Sequence, residues 1–184
     1  MYIRPQISGV IAMVGRLFLV LFVMLAVGAC DYSSIRDENS EFYAVPVGSS
    51  LVLHSEIMIP SSEVSVLMQD GIIQKSADIN YYKPNCKFEL YSISENSRVV
   101  KPDTFLITKV VDENEFTQMQ KIQYASRFMQ VHDAPETITY ATVMYLQSDI
   151  QPDVFRMTCK HWESVVDDRY LTISEMRKAM GDIF

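Results

Sequence analysis

Apolar and polar positions along this chain fall into three regimes. Leu17 to Val27 is an unbroken apolar run, the stretch from about Val47 to Trp162 tends to alternate, and residues 172–181 recur at helical spacing. Leu51, Leu53, Ile57 and Ile59 share one side of a strand stopped by Pro60, with His54 and Glu56 on the other. Alternation with period two is the mark of a strand that buries one face. Val64, Val66 and Met68 repeat it as far as Asp70-Gly71, so Gln69 to Ile73 reads as a hairpin. After an aromatic-flanked turn at Tyr81 to Asn85, Cys86, Phe88 and Leu90 share a face opposite Lys87 and Glu89. Thr104 to Val111 is a further strand, rich in Thr, Ile, Val and Phe. In Thr137 to Gln147, Ile138, Tyr140, Thr142, Met144 and Leu146 alternate with Thr139, Ala141, Val143 and Tyr145; both sets are apolar enough for a central strand. Val154 to Trp162 places Phe155, Met157 and Cys159 one way and Arg156, Thr158 and Lys160 the other. Residues 112–136 fit neither period and are expected to be loop and strand.

The period changes at Thr172-Ile173-Ser174-Glu175, a capping box in which the Thr hydroxyl accepts from the amide of Glu175 while that carboxylate reaches back. Ile173, Met176 and Met180 follow at helical spacing, Arg177 and Lys178 sit toward the negative end of the dipole, and Gly181 can close the helix. A helix over 173–180 is expected to pack on the sheet. The fold class that follows is mostly β: a single antiparallel sandwich or open barrel with one short C-terminal α-helix.

The apolar run changes the picture of where this domain sits. It is preceded by Arg4 and Arg16 with no acidic residue, and it is eleven residues long. Crossing a bilayer core as a helix takes about 20 apolar residues. A span would have to recruit Ile7 to Gly15 and bury Arg16 near its middle, at a cost of roughly 2.5–3.5 kcal/mol. An export signal fits the length and charge better. Directly after the run, Val27-Gly28-Ala29-Cys30 places two small residues before a cysteine. This resembles the lipobox of bacterial lipoproteins, with Val27 where that family most often has Leu. The resemblance implies that Cys30 is alkylated by diacylglycerol, that the chain is cut before it and that the new amine is acylated. Three acyl chains exceed the two signals needed for stable anchoring. The other reading of Cys30 is an ordinary thiol just past a conventional signal. Asp31 resembles the signal that retains such proteins in the inner membrane of enteric-type bacteria. The expected layout is a cleaved signal peptide over 1–29, a lipidated cysteine and flexible tether over 30–46, and a β-rich domain over 47–184, lipid-anchored in the cell envelope and facing the periplasm.

Fourteen of the sixteen cationic side chains and all 23 acidic ones lie beyond residue 29, so the body carries −9 with histidines neutral. That balance, without a basic stripe, makes nucleic acid an unsuitable partner. The densest acidic cluster, Asp112-Glu113-Asn114-Glu115, lacks the alternating oxygen ligands of an EF-hand loop and reads as solvated. With Cys30 lipidated, Cys86 and Cys159 remain, each in phase with apolar neighbours. In an oxidising compartment this even remainder is expected to form a disulfide; two buried thiols are the other reading. Neither has a zinc-like partner spacing.

Chemistry is thinly signalled. His54 lies near Glu56, His132 precedes Asp133 and His161 precedes Trp162-Glu163, but no serine sits in a Gly-x-Ser-x-Gly elbow and Gly48, Gly71 and Gly181 are far apart. No catalytic residue, cofactor or metal is therefore assigned. Tyr81, Tyr82, Tyr91, Tyr140 and Tyr145 are candidates to line a barrel mouth or peptide groove, although rings at strand positions also serve packing alone. The body is similar to uncharacterised proteobacterial lipoproteins in its Gln69-Asp70-Gly71 hairpin, its Tyr82 to Glu89 segment and its Leu171 to Glu175 helix start. That resemblance implies no known activity. The expected function is a membrane-anchored envelope lipoprotein with a structural or protein-interaction role, held by the bilayer through Cys30 and meeting an envelope protein partner. The alternative is a periplasmic binder of a small apolar or peptide ligand.

Overall fold

The computed structural model describes residues 37–117, 137–164, 166, 167 and 169–184. Cys30, Asp31, the apolar run and His132 lie outside them, as does 118–136 of the segment expected to be loop and strand. The compact unit begins at Glu38, ahead of the expected start at Val47. Residues 38–46 join it through the Glu38 carbonyl, which accepts from Ser174 N–H at 3.0 Å, and through Val45, which packs on the core.

Among the described residues nine strands and one α-helix follow: β1 (Ser50–Leu53), β2 (Ile57–Ile59), β3 (Ser65–Gln69), β4 (Ile72–Gln74), β5 (Asn85–Leu90), β6 (Arg98–Val100), β7 (Asp103–Thr117), β8 (Thr137–Gln147), β9 (Val154–Ser164) and α1 (Ile173–Met180). Seven form one antiparallel sheet in the order β1-β7-β8-β9-β5-β3-β4, curled into a half barrel, and β2 pairs with β6 separately. The open-barrel alternative thus describes the main sheet. β8 is interior, as its two apolar sides require, and the Asp70-Gly71 turn joins β3 to β4.

Three elements depart from the alternation. The expected strand through Leu51 and Ile59 is two strands in two sheets, because the chain breaks at His54–Glu56. Leu53, Ile57 and Ile59 nevertheless all reach the core, so the apolar pattern describes burial across the break. β7 continues past Val111 to Thr117, pairing Asp112 with Thr142 and Glu115 with Thr139. Its polar end is the arm of a long hairpin. In β9, the register skips between Glu89↔Arg156 and Leu90↔Val154, leaving Phe155 in a bulge. A bulge re-aims its side chain, and Phe155 meets Tyr145 and Tyr91 on the face opposite Met157 and Cys159.

The core lies on the concave side, where Phe88, Phe105, Met68, Met157 and Leu53 meet Ile57 and Ile59 of the small sheet and Met176, Ala179 and Met180 of α1. The helix starts as its sequence dictates: Thr172 Oγ1 accepts from Glu175 N–H at 3.2 Å, and the Glu175 carboxylate accepts from Thr172 N–H at 2.9 Å. Burial raises the Glu175 pKa, but bonds from Arg169 and Thr172 outweigh it and hold the carboxyl below its ordinary value. At its far end the helix and the 3-10 turn that follows it (Gly181–Ile183) touch both margins of the sheet. Gly71 N–H donates to Ala179 O at 3.1 Å, and His54 N–H donates to Ile183 O at 2.8 Å. Gly181 approaches so closely that a Cβ there would lie 2.4 Å from Gly71 Cα.

Candidate functional site

Cys86 and Cys159 stand directly opposite each other in the β5–β9 ladder and are joined as a disulfide, with Cα atoms 4.0 Å apart and both residues fully buried. The strand parity that puts Cys86 with Phe88, and Cys159 with Met157, aims both sulfurs into the core. The disulfide is therefore a structural staple rather than an accessible thiol pair.

The five tyrosines do not converge. Tyr81 stacks on Trp162 with centroids 4.9 Å apart, Tyr82 meets the same indole edge-on at 5.5 Å, and Lys160 Nζ lies 5.8 Å from the Tyr81 centroid. Gln69 holds this corner: its side-chain amide donates to Asn80 O at 2.8 Å and its oxygen accepts from Asn80 N–H at 3.0 Å. Tyr145 belongs to a second cluster on the same face, with Phe155 and Tyr91; Arg156 sits 4.9 Å from the Phe155 ring and Lys109 5.2 Å from the Tyr145 ring. Tyr140 is buried on the opposite face, edge-on to Tyr170 at 5.4 Å and to His161 at 6.3 Å. Tyr140 and Tyr145 are five positions apart, an odd offset, so in a regular strand they must face opposite ways.

Between the two clusters of the outer face lies Glu89, expected on the polar side but 7 % exposed. Lys87 Nζ lies 2.8 Å and Arg156 Nε 2.6 Å from its carboxylate. Burial pushes the Glu89 pKa up, and these two partners more than reverse it, so the group stays ionised below the usual glutamate range. Alongside, an open groove of about 940 Å³ runs past Tyr81, Lys87 and Lys160 to Met58 and Ile93. The face combines rings with four cations, Lys87, Lys109, Arg156 and Lys160, on an acidic body, a surface suited to ring-bearing or anionic ligands. The signal that locates it is the odd-even parity of β5 and β9; the bulge at Phe155 has no such signal.

The remaining candidates for chemistry lie apart. His54 is exposed, whereas His161 is 1 % exposed, with Nε2 3.1 Å from Arg169 O and Nδ1 3.9 Å from the Glu163 carboxylate. Neither presents an imidazole to a nucleophile, and among the described residues no three His, Cys, Asp or Glu side chains group as metal ligands. Among the described residues no helix is long and apolar enough to cross a membrane. Comparison with family models, with curated proteins and with solved structures yields no match for this chain.

Proposed function

We propose that this chain is a lipid-anchored protein of a bacterial cell envelope, tethered through acylated Cys30 and facing the periplasm, whose β body has a structural or protein-interaction role. The observation that carries the reading is the Cys86–Cys159 pairing. It accounts for two of the three cysteines, leaving Cys30, at the end of a signal-like run, as the thiol available for acylation. A disulfide also belongs in an oxidising compartment outside the cytosol. Asp31 then favours the inner membrane. The tether from Cys30 to Glu38 holds the acidic body close to the bilayer, in reach of other envelope proteins.

A second reading, a binder of a small apolar or peptide ligand, is favoured by the groove past Tyr81 and Lys160. The test of the anchor is metabolic labelling with an alkyne fatty acid. Label on the wild-type chain but not on Cys30→Ser, with a mature mass beginning at residue 30, is the expected result. Unlabelled full-length precursor in the soluble fraction overturns the proposal.

A further inference from the structure

We infer that the free margin of β1 and the facing side of α1 form a binding groove for an extended peptide segment, which adds to the sheet as an extra strand. This deepens the protein-interaction reading and rests on it for the nature of the partner, but not on the anchor.

The argument begins with backbone parity. Ile107 N–H donates to Ser49 O at 2.9 Å, and the register pairs Leu51 with Phe105 and Leu53 with Asp103. In an antiparallel ladder alternate residues turn both backbone groups to the same neighbour. Residues 49, 51 and 53 therefore face β7, while Ser50, Val52 and His54 turn their N–H and C=O groups outward. His54 shows the rule: its N–H leaves the sheet to reach Ile183 O. Among the described residues Ser50 and Val52 have no strand beyond them, since β1 is the last in the sheet order.

What they face is a cleft of about 450 Å³ whose opposite wall is helical. Ile173, Met176, Met180 and Phe184 supply that wall, and Leu51 and Met144 lie on the sheet side. Methionine suits a surface that must repack around varied side chains. The helix packs on β5 and β3 across the cleft, and the turn after it reaches the end of β1 through the Ile183–His54 bond. A strand edge beside an amphipathic helix is the arrangement that peptide-binding domains use for strand addition. The edge distinguishes this occupant from a lipid: only an extended backbone offers donors and acceptors at the spacing of Ser50 and Val52. Four residues of β1 span about 13 Å, room for three or four peptide residues.

Charge selects the flanks. Arg177, the cation lining the cleft, is paired with Glu38 at 3.0 Å, and Asp182 adjoins the Ile183 end. The body as a whole is −9 beyond residue 29. The complementary segment has an apolar centre and basic ends. Side chains opposite Leu51 and Leu53 point into the cleft, and those opposite Ser50 and Val52 point away while their amides bond β1.

The test uses the full chain in detergent and a fluorescent peptide, acetyl-Lys-Lys-Val-Thr-Val-Thr-Val-Lys-Lys-amide, followed by anisotropy. N-methylation of the two Thr amides, which face β1 when Val enters the cleft, is expected to weaken binding tenfold or more; N-methylation of the Val amides changes it less than threefold. Replacing the four Lys by Glu weakens binding about tenfold. Val52→Pro removes an outward N–H without touching the β7 ladder, so it is expected to abolish binding while keeping the circular dichroism and melting point of the parent. If that variant does not fold, the two methylated peptides still decide. Equal loss from both methylations, no binding of the parent peptide at millimolar concentration, or unchanged binding by folded Val52→Pro overturns the inference. A concentration-dependent dimer that Val52→Pro dissolves assigns the edge to a second copy and overturns it too. Cys30→Ser is expected to bind the peptide like wild type. Peptide binding without acylation sinks the anchor alone, and acylation without peptide binding sinks the groove alone.

Discussion

Removing the Cys86–Cys159 link, as Cys86→Ala with Cys159→Ala, frees a loop of 73 residues in the unfolded chain. Loop-closure entropy for that length is about 4 kcal/mol at 25 °C. Both half-cystines are fully buried, so the alanines also give up core packing and the loss is not smaller than the entropic figure. For a domain of this size 4 kcal/mol is a fall in melting temperature of about 10 °C. Trp162 is the sole tryptophan and stacks on Tyr81, so its fluorescence reports the β9 corner directly. The experiment compares urea and thermal melts of the parent, the parent with reductant, and the double variant. Both perturbations should lose at least the entropic amount, and the double variant more, since it also gives up core packing. A change below about 1 kcal/mol in either, or alkylation of both thiols in denatured but unreduced protein, refutes the reasoning.

Two further outcomes follow from single side chains. Glu89→Gln removes the anion held between Lys87 and Arg156, which are themselves about 30 % exposed, and should destabilise by about 1–2 kcal/mol at pH 7. The folded pKa of Glu89 lies below the unfolded value of about 4.3, so its contribution is present above that value and disappears as pH falls through the folded one. Denaturation across pH 7 to 3 should show parent and variant converging in acid; a constant gap contradicts the assignment. Gly181→Ala meets both a φ of +60° and the Gly71 backbone at 2.4 Å, whereas Gly48→Ala meets a positive φ in open space. The first should cost at least about 2 kcal/mol and the second about 1. Equal thermal shifts would show that the close approach carries no energy.

Most of the strands were legible because each buries one face, and period two records that directly. Thr137–Gln147 reads as central since both of its faces are covered, and the capping box at Thr172 is a local signal carried by four consecutive residues. What failed is what alternation does not encode. The break at His54–Glu56 preserves the parity of Leu53 and Ile57, so two strands in separate sheets look like one. Glu89 looks like a surface carboxylate until Arg156, 67 positions away, arrives beside it. Asp112–Glu115 looks like a loop because its strand is the arm of a long hairpin. The separation of Tyr140 from Tyr145 was legible in their spacing, whereas the joining of Tyr145 to Tyr91 depends on the Phe155 bulge. The cleft beside β1 was illegible for a related reason: an unpaired edge is defined by the absence of a neighbour, and sequence periodicity carries no trace of it.

The clasp of α1 on both margins of the sheet bears on when the fold can form. His54 and Ile183 are drawn from opposite ends of the compact unit, as are Gly71 and Ala179 to a lesser degree. Until residues 173–183 have emerged, the concave side of the half barrel lacks the helical part of its cover, and Phe88 and Met68 of β5 and β3 are not fully shielded from water. Contacts of such long range also form slowly. Were the proposed export signal to operate, a nascent chain that stays loose to this point would be threaded first and folded on the far side.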